Sequence, residues 1–449
     1  MGGFCQKALI YVIGLSIGTL SVGFGLGFYA AAYSSVVEEF ILDTSMKKSV
    51  YNAIAPICAI FGGPIVNFAI QRYGRKYPTM ISSLVVIIGW ILIIVTKKSY
   101  KELAYVGRAI NGLGLGAVST VNPVYIAELS PTEVRGAYGV MSQLFCSIGA
   151  LFIYFLGIWL KWREIAGIAI VFPAITIVCL FFIPESPAFE RMDTSVKKKQ
   201  VNIFQKKYFK ALFISFLIVV FQQFSGINAL LTNLTVIFEN SNVSLNPAVS
   251  SVIVTAAQVI TTACSTPLVE FLGRKLTWMI SSIGQALFLL ICWGNQKWDW
   301  NNVLPVVMLF LDVFFFGIGL GPLPWFVVPE LFPDEVRGLA MGIIQAVNWF
   351  LCALMVFIFP TMQESMTLAW TYFFYGIIMV ISFLYGMLLL PETRNKKMGA
   401  NIESDVEDVN DDSKSSKYDS SSNSSKSKSS KSSSSKSKSS SASSSKDEV

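Results

Sequence analysis

The chain has 449 residues, of which 53% are apolar and 14% are charged, and its mean hydropathy is +0.57. Soluble proteins carry about a quarter charged residues, so this composition excludes an ordinary soluble domain and indicates an all-α polytopic membrane protein. Histidine is absent, which removes His-based general bases and most zinc sites. We therefore expect a protein that is not an enzyme and has no cofactor or metal.

Apolar stretches long enough to cross a bilayer of about 30 Å recur along the chain. The first begins near Ala8, which leaves no room for a cleaved signal peptide, so we expect it to remain as a helix. The hydropathy pattern predicts twelve spans, at roughly 8–35, 49–70, 78–96, 102–128, 137–159, 165–183, 209–238, 247–269, 276–294, 302–328, 338–361 and 368–390.

The net charge of +7 comes mainly from the loops between these spans, so it bears on orientation and gives no reason to expect a nucleic-acid partner. Lys and Arg are more frequent in the loops on the same side of the membrane as the N-terminus, for example around Arg72 and Arg274. Because cytoplasmic loops carry an excess of Lys and Arg, we expect both termini in the cytoplasm.

A nine-residue sequence occurs twice. Glu128–Gly136 (ELSPTEVRG) returns 202 residues later as Glu330–Gly338 (ELFPDEVRG), with seven of nine positions identical. Two further pairs keep nearly the same offset: Gly74-Arg75-Lys76 with Gly273-Arg274-Lys275, and Pro184-Glu185-Ser186 with Pro391-Glu392-Thr393. Ordered repeats at one period indicate two homologous halves, which is a signature of transporter architectures.

The repeat divides the chain into four parts. We expect a first six-helix half at 1–187, a short cytoplasmic linker at 188–207 and a second six-helix half at 208–392. Residues 393–449 form a Ser/Lys-rich tail with few apolar residues. Such a segment cannot bury enough surface to offset its ordering, so we expect it to be disordered.

The motifs resemble those of the sugar porter family of the major facilitator superfamily, over nearly the whole length up to about Glu392. The resemblance rests on their order and spacing more than on any single motif. They are Gly74-Arg75-Lys76, Gly107-Arg108, the segment from Pro123 to Gly136, Gln143, Pro184-Glu185-Ser186-Pro187, Gln222-Gln223-x-Ser225-Gly226-Ile227-Asn228, Gly321-Pro322-x-Pro324-Trp325, Glu330-x-Phe332-Pro333, Asn348-Trp349 and Pro391-Glu392-Thr393. The resemblance implies a twelve-helix alternating-access carrier in a plasma membrane, acting as a monomer on a small neutral sugar.

A sugar has hydroxyls that both donate and accept, together with apolar C–H faces. A site inside the membrane suits it if the side chains are uncharged, because a buried charge is costly; amides both donate and accept, and aromatic rings offer flat apolar faces. The predicted substrate-binding residues are Gln143, Gln222, Gln223, Asn228, Gln258, Phe316, Trp325, Asn348 and Trp349. Amides within membranes also hold helices together, and this is our expectation for Gln285 and Gln345, which no motif supports.

Two moving parts are implied by the resemblance. Gly321, Pro322 and Pro324 interrupt span 10 and are expected to act as a gating hinge. Charged residues at the inner ends of the spans are expected to form ion pairs that hold the halves together on the cytoplasmic side while the outer side is open. These eight residues are Arg75, Glu128, Arg135, Glu185, Arg274, Glu330, Arg337 and Glu392.

The sequence also departs from the family. Proton-coupled members usually carry an acidic residue in span 1, and the matching position here is Gly27, which favours a hexose uniporter working by facilitated diffusion. Asp312, inside span 10, is a candidate proton site, so proton-coupled sugar or polyol symport stays open, as does disaccharide transport. Thr232 and Asn233 stand where many glucose carriers have two tyrosines. A sugar sensor without transport is a further alternative.

Overall fold

The computed structural model describes residues 2–40, 42–131, 135–190, 203–240 and 244–394; within these ranges the side chains of residues 2–6, 135–137, 188, 190, 240, 334 and 335 are not described. Throughout these ranges the regular structure is helical. The fold is the predicted twelve-helix architecture in two halves. The Ser/Lys-rich tail and most of the linker between the halves lie outside the described residues, so their predicted order or disorder stays a prediction.

The first half contains spans 1 to 6. Short helices at Tyr33–Phe40 and Pro187–Glu190 and a 3₁₀ turn at Lys98–Tyr100 accompany them. The spans are Gly2–Ala31, Ser45–Tyr73, Lys76–Ile94, Glu102–Leu129, Arg135–Leu156, and Trp162–Ala169 continued by Val171–Phe182.

The second half contains spans 7 to 12, and two of its spans are interrupted. Span 7 is built from Lys206–Phe224, Ile227–Thr232 and Leu234–Asn240, and span 10 from Leu304–Ile318 and Leu323–Leu331. Spans 8 and 9 are Pro247–Leu272 and Arg274–Trp298, and spans 11 and 12 follow within Asp334–Leu388.

By length and composition, ten helical segments of the described residues are able to cross a membrane. One of them, Val336–Leu388, contains both predicted spans 11 and 12. Thr367 leaves helical geometry at φ 65° and ψ 158° and so divides the segment into two helices. Span 4 is not among the ten, since glycines, asparagines and Arg108 make it less apolar than its neighbours. Counting both gives the twelve spans that the sequence predicts.

Span 4 is rich in small residues, and these let it pack at close range inside the first half. A Cβ on Gly112 would lie 2.1 Å from the carbonyl oxygen of Ala55, and one on Gly116 would lie 2.2 Å from that of Ala59. Small residues let helix backbones approach in this way within membranes. Arg108 is fully buried in the same span and donates to the carbonyl oxygen of Gly25 at 2.8 Å.

The two halves meet along span 2 with span 11 and span 5 with span 8. The end of the bundle that carries Arg75, Glu128, Arg274 and Glu330 is called the motif face below, and the other end the opposite face. The space between the halves is where the polar residues of the spans converge.

A polar cavity between the two halves

A cavity of about 2310 Å³ lies between the halves and reaches the motif face. Its wall is formed by side chains from both halves, including residues of both nine-residue repeats, such as Glu128 and Glu330. All nine residues predicted to bind substrate line it: Gln143, Gln222, Gln223, Asn228, Gln258, Phe316, Trp325, Asn348 and Trp349.

The break in span 7 brings three of the predicted amides to one wall. Gly226 has φ 82°, in the left-handed region that favours glycine, and the helix restarts at Ile227. The Ser225 hydroxyl donates to the carbonyl oxygen of Gln222 at 2.7 Å and accepts from the amide of Ile227 at 3.3 Å, which satisfies backbone groups at the break. Span 7 is therefore interrupted at Ser225 and Gly226.

Three amide side chains form a chain of hydrogen bonds across spans 7 and 11. Asn228 donates to Gln223 at 2.7 Å, and Gln223 donates to Asn348 at 2.8 Å. Each amide therefore has a fixed orientation before any ligand arrives. Side chains whose orientation is set in advance lose less freedom when a ligand binds.

Span 10 breaks where its prolines predict. The first helix ends at Ile318 and the second begins at Leu323. Pro324 has no N–H, so the carbonyl of Leu320 lacks its ordinary helical donor. Gln222 supplies two donors in its place, from Nε2 to the carbonyl oxygens of Leu320 and Gly321, both at 3.0 Å. The amide that lines the cavity is thus bonded directly to the interrupted part of span 10.

Two cavity-lining amides keep an acceptor available. Among the described residues, the Oε1 atoms of Gln222 and Gln258 are buried without a hydrogen-bond partner. Buried carbonyl oxygens ordinarily accept a hydrogen bond. Both residues line the cavity, but these oxygens are themselves buried, so they would accept from a ligand only after the side chains move.

Aromatic residues complete the wall. Phe316 and Trp325 come from the two pieces of span 10, and Trp349 comes from span 11. The Trp349 indole donates from Nε1 to the Ser119 hydroxyl at 3.1 Å, which joins span 11 to span 4 across the two halves. The cavity thus combines neutral polar groups with flat apolar rings.

Several lining residues were not predicted from the sequence. Asn67 and Gln71 of span 2, Ser119 of span 4 and Gln345 of span 11 all line the cavity. Gln345 was expected to join helices; its spacing of three from Asn348 would have indicated a shared helix face. Gln285, given the same expectation, is fully buried away from the cavity and donates to the Ser281 hydroxyl at 3.4 Å.

The motif face carries the same side-chain cluster in each half. In the first half, Arg75 forms two hydrogen bonds to Glu128, from Nε and from the guanidinium nitrogen, both at 2.7 Å. Glu185 accepts from the backbone amides of Arg75 at 2.8 Å and Lys76 at 3.2 Å, at the start of span 3. A carboxylate that accepts helix N-terminal amides is favourable there, so Glu185 caps span 3.

The second half repeats this arrangement. Arg274 donates to Glu330 at 3.2 and 2.7 Å, and Glu392 accepts from the amides of Arg274 at 3.0 Å and Lys275 at 3.1 Å. Burial alone would raise the pKa of Glu392, but hydrogen bonds from backbone amides, including that of Arg394, and the charge of Arg274 outweigh it and lower the pKa. The sequence repeat is therefore also a structural repeat.

Among the side chains that the structure describes, the ion pairs of the predicted set form within each half. The Arg75–Glu128 and Arg274–Glu330 pairs each stay in one half, and Arg337 donates to carbonyl oxygens of its own half, at Pro329 and Phe332. The Arg135 side chain lies outside the described residues. Contacts across the halves therefore remain a prediction for a state that is closed at the motif face.

At the opposite face the halves touch. Asn52 of span 2 donates to the Thr232 hydroxyl of span 7 at 3.4 Å. The Tyr154 hydroxyl of span 5 donates to the carbonyl oxygen of Leu231, and the Ser45 hydroxyl bonds to Glu364. The polar pair at Thr232 and Asn233 thus lies beside the closed end of the cavity, with Thr232 in its wall.

Among the described residues, the acidic groups that line the cavity lie at one end of it. Its lining carboxylates, Glu128, Glu270 and Glu330, belong to helix ends near the motif face. Gly27, at the position where proton-coupled relatives usually carry an acidic residue, lines the cavity wall. Asp312 is only 1% exposed, is not among the lining residues, and among the described residues both of its carboxylate oxygens lack a hydrogen-bond partner.

Comparison with known proteins identifies the family. A family model described as "Sugar (and other) transporter" matches residues 11–202 and 190–400. Sugar transporter ERD6-like 6 of Arabidopsis thaliana is 30% identical over 442 residues, covering 87% of this chain and 89% of that protein. Facilitated trehalose transporter Tret1 of Bombyx mori is 27% identical over 438 residues, covering 88% and 86%.

Among solved structures, the inward open conformation of the xylose transporter XylE from E. coli has a TM-score of 0.75 with this chain. It is 21% identical and covers 88% of this chain and 99% of that chain, so it supports the fold alone. The relatives are transporters, in agreement with the expectation that this chain is not an enzyme. The chain is a multi-pass membrane protein that belongs to the sugar transporter family of the major facilitator superfamily.

Proposed function

We propose that this protein moves a hexose such as glucose across the membrane by alternating access, through facilitated diffusion and as a monomer. The observation that carries the proposal is the convergence of all nine predicted amide and aromatic residues on one cavity that is closed at the opposite face. A neutral ligand cannot compensate a buried charge, and the middle of this wall offers uncharged donors and acceptors in its place.

Uncoupled transport is supported by where the acids lie. Within the part of the chain that the structure describes, the carboxylates in the wall are those at the motif face, and the span 1 position is Gly27. Asp312 does not line the cavity, so a proton bound there would not contact a sugar in the cavity in this conformation. Proton symport through Asp312 remains the alternative mechanism, and it requires a conformation that opens a path to that carboxylate.

A disaccharide is the second candidate substrate. The relative from Bombyx mori is named for facilitated trehalose transport, and the cavity volume of about 2310 Å³ exceeds what one hexose fills. The amide chain from Asn228 through Gln223 to Asn348 would then hold one ring, while the wall toward the motif face would hold the other.

For orientation we propose that the motif face is cytoplasmic, with both termini on that side, in the plasma membrane. The concentration of Lys and Arg in motif-face loops supports this. In that orientation the cavity opens inward. The motif-face clusters would then join the halves when the cavity opens outward, which is a shift of populations between two states.

The test is radiolabelled uptake into liposomes containing the purified protein, with glucose, trehalose or a polyol as the solute, with and without an imposed pH gradient. We expect saturable glucose entry that a pH gradient does not drive uphill, and equal rates for wild type and Asp312→Asn. Accumulation against a gradient that a protonophore abolishes would establish symport instead. Sugar binding without any flux would indicate a sensor.

A further inference from the structure

A groove of about 420 Å³ lies on the surface of the second half, between spans 9, 10 and 12, and all nine residues that line it are apolar. Ile283 and Leu287 of span 9 form one side, Val380 of span 12 forms the other, and Phe315 of span 10 also lines it. Leu287 is 54% exposed. Because these residues lie midway along membrane-spanning helices, the groove faces the lipid.

The groove ends at Leu290, and the same helix faces continue from it toward the opposite face, where the rings of Trp298 and Trp300 lie over Gly294. On span 9, the positions 283, 287, 290, 294 and 297 are spaced by four and three residues, so they share one helix face that ends at Lys297. On span 12 the corresponding series runs from Val380 back to Trp370. A Cβ on Gly376 would lie 3.0 Å from Leu290, so the two helices stay close along this line.

Lys297 lies at the end of this line among aromatic rings. Its Nζ is 5.6 Å from the ring centroid of Trp293, 5.3 Å from that of Trp298 and 5.5 Å from that of Trp370. Within the described residues no carboxylate forms a salt bridge with it, including Asp299, the nearest acidic residue in the chain. Tryptophan is enriched at the level of lipid headgroups, so this cluster marks that level.

The spacing between cluster and groove matches a lipid. Lys297 is ten residues from Leu287, which is about 15 Å along a helix. Half of a hydrocarbon core of about 30 Å is the same length. An acyl chain whose headgroup lies at Lys297 would therefore reach into the groove.

We infer that a glycerophospholipid binds here, with its phosphate at Lys297 and one acyl chain in the groove of Ile283, Leu287, Phe315 and Val380. The ammonium has three donors, and the ring faces on its other sides leave these for an anion. A sterol carries no anionic group, so it would leave Lys297 unused.

The inference is tested by native mass spectrometry of the purified protein with added phosphatidylglycerol. Four variants are compared with wild type: Lys297→Gln removes the cation, Lys297→Arg keeps it, Leu287→Trp fills the groove from an exposed position, and Lys98→Gln removes an exposed lysine elsewhere on the opposite face. Circular dichroism and a monodisperse elution profile check that each variant is folded.

Wild type, Lys297→Arg and Lys98→Gln are expected to retain one phosphatidylglycerol. Lys297→Gln should bind it about fivefold more weakly, the effect of removing one cation near an anionic headgroup, and Leu287→Trp should also bind it more weakly because the indole fills the groove. Equal retention by wild type and Lys297→Gln would overturn the proposal. Weaker binding by Lys297→Gln with unchanged binding by Leu287→Trp would remove the acyl-chain part. A sterol retained in place of the phospholipid would reassign the groove. None of these outcomes depends on which sugar is carried, or on whether one is.

Discussion

Gln222 donates its side-chain amide to the carbonyl of Leu320, the group that Pro324 leaves without a helical donor. One residue of the cavity wall is therefore bonded to the interrupted backbone of span 10. The Oε1 atom of the Gln222 amide is buried and has no hydrogen-bond partner among the described residues. A ligand bound at Gln222, as we propose, would consequently be linked to the geometry of span 10 through a single side chain.

We predict that Gln222→Ala weakens hexose binding about tenfold and leaves expression intact. The variant removes an amide that lines the cavity and two hydrogen bonds to span 10, and each such bond contributes about 0.5–1.5 kcal/mol. Binding by purified protein, measured by calorimetry or by displacement of labelled sugar, checks the affinity.

Gln285→Met is the matched control for this variant, since Gln285 is an amide in the same half that does not line the cavity. Its hexose affinity should equal that of wild type. An unchanged affinity in Gln222→Ala would take that residue out of the site.

We predict that Pro324→Ala slows transport more than it weakens binding. Alanine restores an N–H that is able to bond to Leu320, which competes with Gln222 and favours a straighter, stiffer span 10. Pro305→Ala is the control, because Pro305 lies in the first turn of its helix, where an N–H has no helical partner. Initial rates across sugar concentrations should show a lower maximal rate only for Pro324→Ala; equal rates would argue against the hinge.

The twelve spans and the two halves follow from the sequence because hydropathy and the repeated turn are local signals. The predicted substrate-binding residues come from the motif resemblance and from the chemistry of amide and aromatic side chains, and all nine line the cavity. Asn67, Gln71 and Gln345 were missed because an isolated amide in a membrane helix has the same sequence signature whether it faces a cavity or a neighbouring helix.

Hydrogen-bond partners across the fold could not be predicted. The sequence places Glu185 and Arg75 110 residues apart and gives no sign that the carboxylate accepts from backbone amides while Glu128 takes the guanidinium. Such a division depends on helix ends that meet only after the half has folded. The conformational state is likewise a property of the assembled halves.

We predict that Glu392 stabilises the fold at neutral pH and loses this effect in acid. Its pKa is lowered below the ordinary value of 4.5 in the folded protein, so its contribution is fully present above pH 4.5 and disappears as the pH falls through the folded pKa. Glu392→Gln should unfold at a lower temperature than wild type at pH 7, and the difference should shrink below pH 4.5. Thermal unfolding followed by fluorescence in detergent measures both; a difference independent of pH would contradict the assignment.

We predict that Arg135→Ala raises the population that is open at the motif face. If the arginine joins the halves when that face closes, its removal destabilises the closed state only. A cysteine at Gly338 reports the opening, because this residue lines the cavity and its Cβ would meet open space. Maleimide labelling of Gly338→Cys should be faster with Arg135→Ala and unchanged with Lys98→Gln, and equal rates in all three would remove Arg135 from the latch.

We predict the reverse change for Tyr154→Phe. The Tyr154 hydroxyl donates to the carbonyl of Leu231 in the other half, at the face where the cavity is closed. Phenylalanine keeps the ring and removes only this bond, so the state closed at the opposite face should lose about 1 kcal/mol, roughly a fivefold shift. Labelling at Gly338→Cys should slow accordingly. Tyr125→Phe is the control, since its hydroxyl donates to Pro184 at 2.6 Å within one half; slower labelling in both variants would point to general destabilisation and not to a seal between the halves.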